Sequence, residues 1–582
     1  MSNDIRKTIT IALLSSSTTQ LFAGCLKNEM RNWGWEVRVW ESAFNHYRQD
    51  IANPRSRLYE EQPDAVMLYL EAEDIFADCM REPFAVDHRA RGQRACEAAA
   101  ETEGWANLIQ QQLPTAIVIL NTIAMPPIHT LTGLEYHSPW GLTDLAAQYN
   151  LELARVAGQH PNLLIQDVAA LMTQIGYRHW FDPRLWYLAR TRLSSAASKQ
   201  LARSTASLLR AWKGHTRKCI ALDLDNTLWG GIIGEDGLEG IELGDEGLGL
   251  AYAEFQQELA NLERKGVLLA ICSKNDEHDA LEVLRLHPSM RLREAQFAAM
   301  RINWEDKAKN LKALASTLNI GLDSIVFIDD NPVEREFIRL TIPEVLVPDW
   351  PRDPSDYKAA LLDLAVQHFP RISLTKEDPE RTAMYQAEAR RLDLAATTSS
   401  LEDYYRSLQM RAEIGLADDS SIPRIAQLTQ KTNQFNLTTR RYTESEIRNL
   451  ARAANALIFW SRLRDQISDN GIVGVLLLME TRGSTWNIET FLLSCRVIGR
   501  KLEAAFLGCA TQYLLERGAK VLTGEYRPTK KNGVAASVYG DLGFDLVEED
   551  QGTTRWRLAL KDKVIAMPEW IQVEFHEGMM HA

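Results

Sequence analysis

Two aspartates and a threonine stand directly after a short apolar run in the middle of the chain, in the order Asp223-Leu-Asp225-Asn-Thr227. Sites of α/β proteins form where parallel strands end, so we expect both carboxylates at the edge of a sheet. One carboxylate can attack phosphorus or bind a metal ion, while the other transfers a proton to the leaving oxygen. The motif therefore predicts phosphoryl chemistry.

Further polar residues complete a set that suits a phosphorylated substrate. Ser273 and the pair Asp329-Asp330 each follow another apolar run, and Lys307 lies near a predicted helix start. Clustered carboxylates repel phosphate unless a divalent cation is bound, and oxygen ligands of this kind suit Mg²⁺. We therefore predict Mg²⁺ as the cofactor. Its predicted ligands are Asp223, Asp225, Asp329 and Asp330.

The elements that position these residues are short apolar runs separated by helix-like stretches, a pattern that indicates buried parallel strands. The runs lie at 9–14, 65–70, 116–120 and 163–165, and again at 219–224, 267–272 and 324–328. A third segment adds strand-like runs around the predicted helix 499–517. The chain of 582 residues is too long for one core. We predict an α/β protein with domains at 1–212, 213–370 and 371–582.

Composition and charge narrow the class of protein. The net charge of −13 argues against a nucleic-acid partner, which usually requires a basic surface. The seven cysteines are scattered without disulfide or zinc spacing, which indicates a reducing compartment. The first apolar run is too short for a signal peptide or a membrane span. We therefore predict a cytoplasmic protein without a membrane partner.

Longer strings around these residues carry a family resemblance. Residues 223–237, 271–275 and 329–336 closely resemble the FkbH-like branch (subfamily IIIC) of the haloacid-dehalogenase (HAD) superfamily, including its Trp-Gly-Gly and Asp-Asn-Pro extensions. The resemblance covers roughly residues 215–580. It implies a glyceryl transferase/phosphatase of polyketide-type biosynthesis. Such an enzyme dephosphorylates 1,3-bisphosphoglycerate and loads the glyceryl unit onto the phosphopantetheine arm of an acyl carrier protein.

The resemblance also implies a role for each motif residue. Asp223 would be the nucleophile that forms an aspartyl-phosphate, and Asp225 the general acid/base. Asp329 would bind the metal ion with support from Asp330. The residues that would hold the phosphate are Thr227, Ser273, Lys274 and Lys307. The intervals between the motifs are too short for a large cap domain, so we expect an open site that suits a tethered substrate.

The third segment resembles GNAT acyltransferases, in which a loop at a helix N-terminus cradles the phosphate of a pantetheine cofactor. The matching residues are Arg496, Gly499 and Arg500, although Lys501 replaces the last small residue of that loop. Asn532 is a further candidate for contact with the pantetheine arm. We therefore predict a GNAT-like mixed α+β domain.

Two cysteines are candidates for an enzyme-bound thioester, which the family is described as using. Cys272 neighbours Ser273 on a predicted strand, where alternation directs the two side chains to opposite faces, so Cys272 is expected in the core. Cys495 precedes the predicted pantetheine loop, where a helix N-terminus would favour a negative charge. We favour Cys495 and keep Cys272 as the alternative.

The N-terminal segment resembles SGNH hydrolases. Ser17 is the one possible nucleophile, and Asn121 matches the oxyanion-hole asparagine. Leu185 stands where the catalytic histidine should be, which leaves Ser17 without a base. We favour a docking or covering domain over an active esterase.

Two other functions remain open. The phosphoryl site could act on a different acyl phosphate, such as another hydroxyacyl unit. Alternatively, the chain could be a scaffold that docks a carrier protein and whose phosphoryl site is spent. The complete acidic and basic set around Asp223 and Lys307 argues against a scaffold, which has no need of it.

Overall fold

The computed structural model describes residues 7–127, 129–137, 141–160, 162–372, 374, 378–397, 400–481, 483–529, 531–561 and 563–576. The chain forms two compact units, Met1–Trp212 and Lys213–Ala582.

The first unit is built on a five-stranded parallel sheet in the order β2-β1-β3-β4-β5, the flavodoxin-like arrangement. Its strands are β1 (Lys7–Ser15), β2 (Trp35–Glu41), β3 (Ala65–Tyr69), β4 (Ile117–Asn121) and β5 (Leu163–Gln166). Its helices are α1 (Gln20–Asn32), α2 (Tyr47–Ala52), α3 (Arg57–Glu60), α4 (Ala72–Ile75), α5 (Ala77–Arg81), α6 (His88–Gln112), α7 (Leu142–Gln159), α8 (Val168–Ile175), α9 (Tyr177–Trp180), α10 (Pro183–Ala189) and α11 (Ser195–Trp212). Every residue of β3 and β4 is buried, because helices cover both faces of the sheet.

The second unit begins with a four-stranded parallel sheet in the order β8-β7-β6-β9. Its strands are β6 (Cys219–Leu222), β7 (Leu268–Ser273), β8 (Phe297–Ile302) and β9 (Ile325–Ile328). Its helices are α12 (Ile233–Gly240), α13 (Gly247–Arg264), α14 (Glu277–Leu286), α15 (Lys307–Thr317), α16 (Pro332–Thr341) and α17 (Tyr357–His368). Only α12 and α13 separate β6 from β7, so no large cap is inserted there.

A mixed sheet follows in the same unit, in the order β16-β17-β15-β14-β13-β12-β10-β18, with β11 paired to β14. Its strands are β10 (Met410–Leu416), β11 (Phe435–Asn436), β12 (Ala456–Arg464), β13 (Asp469–Glu480), β14 (Thr485–Leu493), β15 (Val521–Tyr526), β16 (Asp545–Asp550), β17 (Thr553–Ala559) and β18 (Ile571–His576). Its helices are α18 (Arg381–Thr397), α19 (Leu401–Ser407), α20 (Ile422–Lys431), α21 (Glu444–Arg452), α22 (Leu502–Glu516) and α23 (Val538–Asp541).

The predicted fold class is confirmed, since two parallel α/β sheets precede a mixed α+β sheet. The separation of 213–370 from 371–582 as distinct domains stays a prediction. Helix α22 begins at Leu502 rather than at Gly499, because Gly499 and Lys501 both have a left-handed backbone. None of the described helices is long and apolar enough to cross a membrane.

Candidate active site

Three carboxylates meet at the carboxyl edge of the four-stranded sheet. Asp223 follows β6, and Asp329 and Asp330 follow the neighbouring strand β9. One oxygen from each carboxylate lies within 4.8 Å of the others. The cluster forms because parallel neighbouring strands end at the same edge, as the sequence pattern predicted.

Lys307 bridges two of these carboxylates from the first position of α15. Its Nζ lies 2.8 Å from Asp223 Oδ2 and 2.7 Å from Asp329 Oδ2. Asp306 fixes the helix start by accepting hydrogen bonds from the next backbone N–H groups. Burial alone would lower the pKa of Lys307, but the two carboxylates raise it above its ordinary value. The ammonium therefore stays charged and neutralises part of the cluster.

The remaining negative charge is unfavourable without a cation. Burial and the neighbouring Asp223 raise the pKa of Asp329 to about 6, although Lys307 acts in the opposite direction. The same two causes raise the pKa of Asp330. Three clustered carboxylates with one ammonium suit a hard divalent cation, which takes oxygen ligands. Asp223, Asp329 and Asp330 are thus the residues that could hold a metal ion.

Asp225 does not join this cluster through its side chain, contrary to its prediction as a metal-binding carboxylate. Its Oδ1 accepts hydrogen bonds from Trp229 Nε1 at 2.9 Å and from the Ile233 backbone at 3.1 Å. Its Oδ2 accepts from Asn275 Nδ2 at 2.9 Å. Burial raises the pKa of Asp225, which these hydrogen bonds only partly offset. A carboxyl held in this way suits proton transfer.

Trp229 and Asn275 are site residues that the sequence reasoning missed. Both stand inside the quoted motifs, Trp229 in the Trp-Gly-Gly string and Asn275 at the end of the string 271–275. The two motifs contain both residues, but the motifs alone do not indicate that these side chains donate hydrogen bonds to Asp225.

The two predicted phosphate-holding hydroxyls lie at the same edge. Thr227 is fully buried, and its Oγ1 accepts a hydrogen bond from the Asp330 backbone at 3.3 Å. Ser273 is buried at the end of β7. Lys274 does not join them, because its Nζ forms an ion pair with Glu334 Oε1 at 2.6 Å. The phosphate contact of Lys274 stays a prediction.

Cys272 faces away from the carboxylates. It is fully buried, and its Sγ donates a hydrogen bond to the Lys307 backbone oxygen at 3.7 Å. Burial raises the pKa of the Cys272 thiol well above its ordinary value. A sealed, protonated thiol is a poor nucleophile.

Two of the four predicted pantetheine-binding residues are buried in the second unit, where their polar atoms contact protein groups. Asn532 is fully buried, and its Nδ2 donates to the backbone oxygens of Asn436 at 2.9 Å and Arg527 at 2.8 Å. Arg500 is also buried and forms an ion pair with Asp465 at 3.1 Å. Their polar atoms bind protein groups in this structure, and their role as ligand contacts stays a prediction.

The other predicted residues of this loop lie at or near a cavity. Gly499 has a φ of +85° and accepts a hydrogen bond from Tyr405 Oη at 2.5 Å. Arg496 is buried, and with the half-buried Cys495 it lines a cavity of about 330 Å³. The favoured thiol therefore opens onto a cavity, whereas the alternative thiol of Cys272 is sealed.

In the first unit, the residue that matches the SGNH oxyanion-hole asparagine hydrogen bonds to the protein backbone. Asn121 exchanges two hydrogen bonds of 2.8 Å with the Leu70 backbone. A residue missed in the sequence is Glu71, which is buried and lies 2.8 Å from Arg192 Nε. Burial raises the pKa of Glu71 to about 8, although the neighbouring Arg192 acts in the opposite direction. Ser17 Oγ lies 3.4 Å from Ser15 Oγ.

The fold and site together define an α/β protein with phosphoryl-handling chemistry at the carboxyl edge of a parallel sheet. The sequence profile described as "FkbH, N-terminal domain" matches residues 10–209. The chain is 30% identical to the N-terminal part of protein BF1531 from Bacteroides fragilis, which contains a phosphatase domain complexed with Mg. That similarity covers 64% of this chain and 97% of the other, with a TM-score of 0.59. The chain belongs to the FkbH-like phosphatase family.

Weaker similarities extend to acetyltransferase structures. The ribosomal-protein-S18-alanine N-acetyltransferase of Escherichia coli is 15% identical, with a TM-score of 0.21 and coverage of 26% of this chain and 94% of that chain. The IAA acetyltransferase of Bacillus cereus is 15% identical, with a TM-score of 0.20 and coverage of 25% and 99%. No curated protein matches the chain.

Proposed function

We propose that the chain is a Mg²⁺-dependent, HAD-type phosphatase that is coupled to glyceryl transfer. It takes 1,3-bisphosphoglycerate, removes phosphate, and loads the glyceryl unit onto the phosphopantetheine arm of an acyl carrier protein in polyketide-type biosynthesis. One observation carries the proposal: the second unit holds both the Asp223 carboxylate cluster and an accessible thiol, Cys495. A simple phosphatase needs only the first of these groups.

The carboxylate cluster acts on the C3 phosphate, which is an unactivated ester. An Asp223 oxygen attacks phosphorus, and the bond between phosphorus and the C3 oxygen breaks. Asp225 donates its proton to that leaving oxygen and then removes a proton from the water that hydrolyses the aspartyl-phosphate. Lys307 balances the charge on Asp223 throughout. A bound Mg²⁺, held by Asp223, Asp329 and Asp330, would neutralise the phosphate oxygens.

The thiol acts on C1, where the acyl phosphate is already activated. The Cys495 thiolate attacks the C1 carbonyl, a C–S bond forms, and the C1–O bond breaks with release of inorganic phosphate. The pantetheine thiolate then attacks the thioester and returns the Cys495 thiolate. Cys272 is unsuited to this exchange, because no route for a carrier arm reaches a fully buried sulfur.

The Cys495→Ala variant tests the assignment of the thiol. The full chain is incubated with Mg²⁺, 1,3-bisphosphoglycerate and a phosphopantetheinylated carrier protein, and the carrier is weighed by mass spectrometry. We expect the wild-type chain to add one glyceryl unit and Cys495→Ala to add none, because no other described cysteine lines this cavity.

Two further cysteine variants serve as controls. Cys509→Ala changes a buried thiol inside α22 and should leave loading intact. Cys272→Ala should also retain loading if the protein folds. A carrier that still gains a glyceryl unit with Cys495→Ala would refute the assignment, whereas phosphate release without any carrier gain would favour a phosphatase acting on another acyl phosphate.

A further inference from the structure

The cavity that contains Cys495 lies at the opposite end of strand β6 from the carboxylate cluster. Lys218 precedes β6 and lines the cavity, while Asp223 follows β6. The five steps of extended chain from Lys218 to Asp223 span about 16 Å at about 3.3 Å per residue. The cavity is therefore a separate site and not an extension of the carboxylate cluster.

Both sheets of the second unit contribute to its walls. The loop before β9 supplies Asn319, whose Nδ2 donates to the Cys495 backbone oxygen at 3.1 Å. Helix α18 supplies Tyr385, whose hydroxyl lies 3.9 Å from Cys495 Sγ. These contacts fix the position of the thiol between the parallel sheet and the mixed sheet.

The charge of the walls is strongly unbalanced. Among the described residues, six cationic side chains line the cavity, and Asp378 is the one carboxylate that lines it. The cations are Lys218, Arg381, Arg424, Lys431, Arg496 and Lys531. Lys531 is ion-paired with Asp323, and Lys431 lies 3.7 Å from Asp378. No carboxylate of the described residues lies within ion-pair distance of Lys218 or Arg381.

This excess of positive charge is unfavourable in the absence of an anion. Burial, followed by the charges of Arg371 and Arg381, holds the pKa of Lys431 well below its ordinary value. Burial also lowers the pKa of Lys218. A bound anion would reverse these repulsions, since an opposite charge within a few ångströms stabilises the protonated amine.

Size and charge favour a phosphate monoester over a phosphodiester. A volume of about 330 Å³ lies at the small end of ligand sites, which suits a phosphate on a short chain. A monoester carries nearly two negative charges at neutral pH, whereas the phosphodiester of a carrier-bound pantetheine arm carries one. Arginine and lysine are the usual ligands of such groups.

We propose that this cavity is a second phosphate-binding site, in which Lys218, Arg381 and Lys431 bind the phosphate monoester of a small acyl substrate beside Cys495. The inference rests on the proposed function and locates where the acyl phosphate meets the thiol. The phosphate on C3 is held by the cations while C1 lies at Sγ, so transfer to Cys495 precedes dephosphorylation at Asp223.

Protection of Cys495 from alkylation tests this site without catalysis. The full chain is treated with iodoacetamide in the presence of EDTA, and modification of Cys495 is followed by peptide mass spectrometry. The probe is 3-phosphoglycerate, which lacks an activated carbonyl and cannot acylate the thiol. We expect saturating probe to slow alkylation at least about ten-fold, and glycerate at the same concentration to have no effect.

Variants of the cations identify the binding residues. Lys431→Gln and Lys218→Gln should each need at least about ten-fold more 3-phosphoglycerate for the same protection, because each removes a charged hydrogen bond. Lys358→Gln, a lysine on α17 paired with Glu254, should behave like the wild-type chain. Lys218→Gln also keeps the test decisive if Lys431→Gln does not fold.

Two results would overturn the inference. One is protection that persists unchanged in both folded variants. The other is protection by a phosphopantetheinylated carrier protein but not by 3-phosphoglycerate, which would assign the cations to the carrier arm. Because the metal is absent and no phosphate release is measured, a failed phosphatase assay would bear on the proposed function and not on this site.

Discussion

The Asp223→Asn variant is expected to lose at least about a thousand-fold in kcat for Mg²⁺-dependent hydrolysis of p-nitrophenyl phosphate. An amide of the same shape cannot attack phosphorus, so the aspartyl-phosphate does not form. The fold should survive, because the substitution removes one of three repelling carboxylates and leaves Asp329 to pair with Lys307. Release of p-nitrophenol measures the rate, and circular dichroism verifies the fold.

Asp363→Asn is the matched control, since it makes the same chemical change on the exposed face of α17. It should retain wild-type activity. If folded Asp223→Asn kept more than about a tenth of the activity, Asp223 would not be the nucleophile.

The Lys307→Met variant is expected to destabilise the metal-free second unit by about 3–5 kcal/mol. Removing the ammonium leaves Asp223 and Asp329 buried, close together and without a counter-charge. Denaturant unfolding in EDTA measures the loss. Adding Mg²⁺ should recover part of it, because the cation binds only the folded carboxylate cluster.

Lys309→Met in the same helix is the control. Lys309 forms an exposed ion pair with Glu305, and its loss should cost less than about 1 kcal/mol. Combining Lys307→Met with Asp223→Asn should be less destabilising than Lys307→Met alone, since one unpaired charge disappears. Equal stability of Lys307→Met and the wild-type chain would contradict the bridging role of Lys307.

The carboxylate cluster could be predicted from the sequence because its geometry follows from strand ends. Asp223 and Asp329 each stand one residue beyond an apolar strand, and parallel strands bring those positions to one edge. Lys274 shows the limit of this reasoning. It stands immediately after Ser273, but its long side chain reaches Glu334 on α16. The position of Lys274 next to Ser273 in the sequence therefore did not determine which group its flexible ammonium contacts.

The second site depends on contacts that no local pattern encodes. Arg500 pairs with Asp465 and Asn532 donates to the Asn436 backbone, and both of these partners are distant in sequence. Lys218 carries no motif and becomes a cavity residue only because residues of α18 and α20 line the same cavity. The sequence therefore singled out Cys495 and Arg496 but not the other cations around them.

The most direct test of two separate sites is the intact mass of Asp223→Asn after incubation with Mg²⁺ and 1,3-bisphosphoglycerate. We expect a phosphoglyceryl adduct on Cys495 that keeps its C3 phosphate, because the thiol shares a cavity with Lys218 at the amino end of β6 and the carboxylate cluster lies at the other end. When a phosphopantetheinylated carrier protein is added, the wild-type chain should yield a glyceryl carrier, because the pantetheine arm takes the acyl group from Cys495 to the carboxylate cluster, whereas Asp223→Asn should yield a phosphoglyceryl carrier. A folded Asp223→Asn protein that forms no thioester would contradict this division between the two ends of β6.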